Sequence, residues 1–175
     1  MTHVLLSGLP PIVGPEARVL IVGSMPGAES LRQQRYYAHS RNAFWPIVGG
    51  WLGLPVQASY EERCRALVAA GIALWDVIGA CERRGSLDTA IVPESVRVND
   101  FAAFFALQPE MRAVLCNGTT AHRAFLRHVM PRLAPRLASA PAVLRLPSTS
   151  PAHAGMTLQG KRERWLAALG GIGSG

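Results

Sequence analysis

Short apolar runs alternate with amphipathic stretches along most of this chain. Arg18–Gly23 (RVLIVG) reads as a buried strand, ended by the turn formers Gly-Ser-Met-Pro-Gly at 23–27. The pattern next predicts a helix over Ala43–Trp51, with Ser40 or Asn42 near its start and Pro46 in its first turn, where a missing N–H is tolerated. Ser59 and Glu62 form an S-x-x-E capping box ahead of a helix over Arg63–Ala70, which Gly71 closes. Ile72–Ile78 (IALWDVI) is a second strand, and Gly79–Val98 reads as irregular around a turn at Arg83–Ser86. Asn99 is the expected cap of a short helix through Leu107, with Phe101, Phe104 and Phe105 facing the core. Arg112–Cys116 is a third strand, and Asn117-Gly118-Thr119 turns into a helix over Thr120–Met130. Val143–Leu146 is a fourth strand, followed by a loop over Pro147–Gly155. Thr157 caps a final helix that reaches Leu169 and stops at Gly170.

Repeated strand–helix alternation argues for an α/β three-layer sandwich, a parallel sheet with helices on both faces and right-handed crossovers. Neither a repeat nor a linker divides the chain, so residues 1–175 are expected to form a single domain, with 170–175 as a frayed tail. In such folds ligands bind outside the carboxyl ends of the strands. Segments 23–45, 76–88 and 146–155 leave those ends with unusual loop chemistry.

Composition narrows the class. Of the 175 residues 49% are hydrophobic and 17% charged, which suits a globular core rather than a disordered chain. No apolar run approaches the ~20 residues of a membrane span. The mildly apolar start lacks a basic n-region and a cleavage site, so the chain is read as cytoplasmic. Cys64, Cys81 and Cys116 are odd in number and far apart, and the five histidines are dispersed; they imply no disulfide framework, metal or cofactor. The net charge of +7, carried almost wholly by arginine, fits a nucleic-acid partner and fits an arginine-rich coding bias equally well.

The chemistry-bearing segments follow. Gly23 and Gly27 let the backbone approach a ligand closely, yet the turn is neither a G-x-G-x-x-G fingerprint nor a P-loop. Tyr36, Tyr37, His39, Arg41, Asn42, Phe44 and Trp45 crowd aromatic, amide and basic groups into ten residues. Aromatic faces stack on bases, and an Asn positions water or reads a base edge. In LPSTSPAHA, residues 146–154, two prolines bracket three hydroxylated residues in a stiff, donor-rich loop fit to press on a phosphate backbone. Arg32, Arg35, Arg41, Arg83 and Arg84 lie in the same loops, and the helix opened by Asn117–Thr120 offers an N-terminus to a phosphate.

GSMPG, YYAHSRNAFW and LPSTSPAHA, in that order, resemble the uracil-DNA glycosylase superfamily and within it the hypoxanthine-DNA glycosylase branch. The resemblance spans roughly 18–168 and includes LWDVI at 74–78 and RRGSLD at 83–88. It implies a four-stranded parallel sheet in the order 2-1-3-4 and a monofunctional enzyme that cleaves the bond between sugar and base in double-stranded DNA. It implies further that Asn42 is the catalytic amide and that Tyr37 stacks on the flipped base. Gly23, Ser24, Met25 and Pro26 then correspond to the water-activating turn; Asp76 and Asn117 are placed with them at the base. Ser148, Thr149 and Ser150 correspond to the loop that enters the minor groove, and His39, Arg41, Arg83 and His153 join them as DNA contacts.

The chain departs from the wider superfamily at three places. Ser24-Met25-Pro26 stands where relatives carry an Asn or Asp, Leu146 where uracil enzymes carry His or Asn, and Ser150-Pro151 where some carry a bulky wedge. The last two argue against a general uracil enzyme and fit the hypoxanthine branch, whereas the first keeps a catalytically silent damage-binding protein open. Lys161, the only lysine, lies in the last helix, away from the pocket segments, which disfavours a Schiff-base step. Expectation is therefore of a glycosylase working as a monomer on DNA with a deaminated base. A G/U mismatch-specific uracil glycosylase, a catalytically silent damage-binding protein and a nucleotide hydrolase on the same scaffold are the competing classes.

Overall fold

The computed structural model describes residues 4–172. In chain order the elements are β1 (Leu5–Ser7), β2 (Val19–Gly23), α1 (Ala28–Gln33), a π-helical turn (Trp45–Gly49), α2 (Tyr60–Ala69), β3 (Ile72–Asp76), β4 (Ile78–Glu82), β5 (Arg97–Val98) and α3 (Phe101–Ala106). They continue with β6 (Ala113–Asn117), α4 (Thr119–Ala124), a second π-helical turn (Phe125–Val129), α5 (Met130–Leu133), β7 (Ala142–Leu146) and α6 (Leu158–Ile172).

The main sheet has four parallel strands in the order β3-β2-β6-β7, which is 2-1-3-4 counted along the chain. Its centre is β2, whose five residues are all buried, as a strand covered on both faces requires. Alternate side chains feed two cores. Val19 and Ile21 join Leu74 and Leu115 under Phe44, Trp45, Leu67 and Trp165. Leu20 and Val22 join Trp75, Val114 and Cys116 under Phe101, Phe104, Phe105, Phe125 and Leu133. These are the helical layers of the expected α/β sandwich.

Local signals explain the helix ends. Ser59 and Glu62 make the full capping box of α2: Glu62 N donates to Ser59 Oγ, and Ser59 N donates to Glu62 Oε2 at 2.6 Å. Gly71 follows α2 at φ +70°, a conformation costly for other residues. Thr157 caps α6, accepting from Gly160 N at 3.1 Å. Cys64 is half-buried, while Cys81 and Cys116 are buried free thiols.

Four expectations need correction. The stretch 79–98 is irregular only between its ends: β4 and β5 bound it, and β4 pairs antiparallel with β1 and β5 in a second, three-stranded sheet. The run Ile72–Ile78 is accordingly two strands, because the chain leaves the main sheet after Asp76 and enters the second at Ile78. Asp100, not Asn99, caps α3, accepting from Ala103 N at 2.9 Å. Asn99 is diverted, its Nδ2 donating to the Asp76 carbonyl at 2.8 Å. At the C-terminus α6 runs past Gly170 to Ile172, and 173–175 lie outside the described residues. No helix among the described residues is long and apolar enough to cross a membrane.

Candidate active site

The carboxyl end of β2 delivers Gly23 into a space that admits no side chain. A Cβ there would collide with the Asp76 carboxyl and come within 3.3 Å of the Tyr37 hydroxyl. Asp76 ends the neighbouring strand in register with Gly23, so the sheet itself sets the two side by side. Asp76 is 3% exposed, and its Oδ2 has no hydrogen-bond partner among the described residues. Burial, aided by the charge of Asp88 and opposed by Arg83, pushes Asp76 up to about 7. Tyr37 holds φ +53° and stacks on Phe44 with ring centroids 4.0 Å apart and planes 21° apart. Its hydroxyl is likewise buried with no hydrogen-bond partner among the described residues, and burial beside Asp76 raises its pKa.

Around the turn itself, Ser24 Oγ lies 2.8 Å from both oxygens of Asp88, a residue brought from far along the chain. Arg83, 8% exposed, donates from Nε to Gly85 O at 3.0 Å and from Nη2 to Pro26 O. Ser86 Oγ accepts from Ala28 N at 2.9 Å. The excursion after β4 therefore packs as a brace beneath the turn. Met25 points away from the edge, into a small core with Ile78 and Cys81.

The segment before the first π-helical turn reaches the other loop. Asn42 N donates to His39 O at 2.9 Å, and Phe44 N donates to Asn42 Oδ1 at 3.0 Å. That bond orients the amide and leaves one Oδ1 lone pair and the Nδ2 donor for other partners. Ala43 N donates to Thr149 O at 3.0 Å. Thr149, 1% exposed, also pairs reciprocally with Asn117: its N donates to Oδ1, and Asn117 Nδ2 donates to its Oγ1, each at 2.9 Å. Lys161 lies beneath this loop, 6% exposed, donating to Ser150 O at 3.2 Å and His153 O at 2.8 Å. Burial lowers its pKa.

Segments 23–45, 76–88 and 146–155 thus meet at one edge of the sheet. Residues 10–169 match the family described as Uracil DNA glycosylase superfamily. The chain belongs to the Uracil DNA glycosylase superfamily. Among its relatives is a Hypoxanthine DNA glycosylase of Methanosarcina barkeri, 38% identical over 112 residues, which are 63% of this chain and 70% of that protein. A Hypoxanthine DNA glycosylase of Methanosarcina acetivorans is 37% identical over 115 residues, 65% of this chain and 72% of that protein. The solution NMR structure of a candidate uracil DNA glycosylase from Methanosarcina acetivorans superposes with a TM-score of 0.77. It is 30% identical, with 95% of this chain and 97% of that chain covered.

Within this superfamily member, the sequence-named residues divide by exposure. Ser24, Tyr37, Asn42, Asn117, Ser148 and Ser150 are partly exposed; His39, Arg41 and His153 are open to solvent. Arg83 and Thr149, named as DNA contacts, and Met25, named at the base, are buried and support the loops from inside. Arg32 and Arg35 are turned to carboxylates, Arg32 to Glu29 at 2.6 Å and Arg35 to Glu61 at 3.4 Å. Sequence reasoning set Lys161 apart from the site. The available signal was its spacing with Trp165 and Leu169, which places it on the buried stripe of α6.

Proposed function

We propose that this protein is a monofunctional DNA glycosylase that releases a deaminated base, hypoxanthine before uracil, from double-stranded DNA. The carrying observation is the convergence of the three motifs: the Tyr37 hydroxyl meets Gly23, and Ala43 N bonds Thr149 O. Two relatives named Hypoxanthine DNA glycosylase support the choice of base.

Breaking the bond between sugar and base develops positive charge on the sugar and negative charge on the leaving base. Water must therefore stand at C1′, with hydrogen-bonding groups at the base. In this reading the target base is extruded, at a cost of a few kcal/mol that is smallest for a mispaired base. The face of Tyr37 turned away from Phe44 would offset about 1–3 kcal/mol of that by stacking. Asn42 is too weak a base to take a proton. Its oriented Oδ1 holds the water in line, and the phosphates and leaving base supply most of the electrostatic effect. Buried Lys161, engaged with two carbonyls, is not presented to an abasic sugar, in keeping with simple hydrolysis.

The test is base release from duplexes carrying one deoxyinosine or one deoxyuridine, scored by alkaline cleavage of the abasic strand, with Asn42→Ala alongside. Cleavage at deoxyinosine that falls ~100-fold or more in the variant is expected. An unchanged rate in Asn42→Ala would remove that residue from catalysis. Cleavage at deoxyuridine alone would move the chain to a uracil branch, and binding without cleavage would make it a damage-binding protein.

A further inference from the structure

Resting on that reading, we propose that Ser24 and Asp88 together form the element that distinguishes a deaminated purine from an adenine. Ser24 sits at the mouth of the turn after the central strand and is partly exposed, as is Asp88. Its Oγ lies 2.8 Å from Oδ1 and 2.8 Å from Oδ2 of Asp88. An ionised carboxylate only accepts, so the single Ser24 hydroxyl proton is directed to Asp88. A free serine rotates to donate or accept as its partner demands; this one is locked. Toward the site it presents lone pairs alone.

Burial raises the pKa of Asp88, while the Ser24 hydroxyl, Arg83 and the Thr120 side chain favour its charge. Arg83 is anchored on Gly85 O and on Pro26 O, the latter in the same turn as Ser24. The direction of the hydroxyl is thus set by its two contacts with Asp88.

An acceptor fixed in this way selects a ring N–H on the base edge. Hypoxanthine has one at N1, beside its carbonyl, whereas adenine has a lone pair there. Deamination converts the acceptor into the donor that Ser24 can bind. Adenine would set lone pair against lone pair in a partly buried site, and unmet polar groups of that kind are discriminating. Ser24 is on this account a specificity-determining residue and Asp88 a positioning residue acting through it.

The experiment compares single-turnover kcat/KM on two duplexes that differ only in the target, 2′-deoxyinosine or 2′-deoxynebularine, whose N1 is a bare acceptor. Wild type should prefer deoxyinosine. Because both carboxylate oxygens lie 2.8 Å from Oγ, Asp88→Asn sets an N–H against it, which takes one of its two lone pairs and leaves the hydroxyl proton free to turn toward the base. The preference should shrink about 10- to 100-fold in Asp88→Asn. Asp88→Glu should keep most of it. Ser24→Ala, which leaves Asp88 untouched, should shrink it similarly and guards against a folding defect in the first variant. If both substrates fall equally in Asp88→Asn and Ser24→Ala, the pair is merely structural and the inference is overturned. If wild type releases hypoxanthine but shows no preference, the inference also falls while the glycosylase reading stands. No release of hypoxanthine by wild type would overturn both.

Discussion

The turn Gly23–Gly27 and the loop Pro147–His153 leave the same edge of one sheet, and each is held from beneath by a buried cation bonded to its main chain. Arg83 grips Pro26 O, and Lys161 grips Ser150 O and His153 O. The surroundings of the two cations differ. Arg83 lies among Asp76 and Asp88, whose charges it favours. Lys161 bonds main-chain carbonyls, and burial alone lowers its pKa. A compensated cation allows carboxylates to be kept at a dry site, where chemistry on a base would use them. An uncompensated one leaves net positive charge under a loop that we propose meets phosphates. In the proposed function one clamp would serve the base side and the other the backbone side.

Removing the compensated cation should have the largest effect. Arg83→Met removes the cation near buried Asp76 and partly exposed Asp88 and breaks two bonds to main-chain carbonyls, freeing the turn, and a loss of about 3–5 kcal/mol is expected in denaturant melts. Base release should go with it. Combining it with Asp88→Asn should recover part of the stability, since one stranded charge is gone; strict additivity would show that the two are not coupled.

A smaller effect is expected at the other clamp. Lys161→Met leaves two carbonyls unmet and should cost about 1–3 kcal/mol. If this loop meets phosphates as proposed, KM for DNA should rise more than kcat falls, and Lys161→Arg should restore most of the affinity. A fall in kcat with unchanged KM would erase the distinction between the clamps.

The third effect is a pH signature. The folded value of Asp76, about 7, lies above its ordinary 3.8. Between those values the folded chain holds a proton that the unfolded chain has released, so this group's contribution to stability declines as pH rises through the window. Asp76→Asn cannot titrate. Its melting temperature relative to wild type should therefore climb between about pH 4 and pH 8, and a constant difference would mean that Asp76 is ionised throughout.

The same contrast shows what was legible in the chain. The main sheet was readable because each of its strands is an apolar run bounded by turn residues, as in VLIVG and AVLCN. The second sheet was hidden: β1 is three residues, β5 is two, and Gly79 and Ala80 give β4 no alternating pattern. The loops that carry the candidate site were found through their ordered motifs. What sequence could not give was which polar side chains turn inward. An arginine beside Arg84 and a threonine between two serines look like surface groups, yet Arg83 and Thr149 are among the buried polar residues. Their burial depends on partners supplied by segments remote in sequence, the turn after β2 for Arg83 and Asn117 for Thr149.

The topology also bears on how the molecule is made. The central strand finds one neighbour in β3 and the other only in β6, where Val19 lies opposite Ala113. Loop-closure entropy must be met before such distant pairings reward it, so folding should be slow compared with a helical bundle of equal size. During synthesis β2 leaves the ribosome long before β6 does, and its apolar flank facing β6 stays open meanwhile. The edge strand β7 is the last strand to arrive, and α6, with Lys161, closes over the sheet only after every strand has been made.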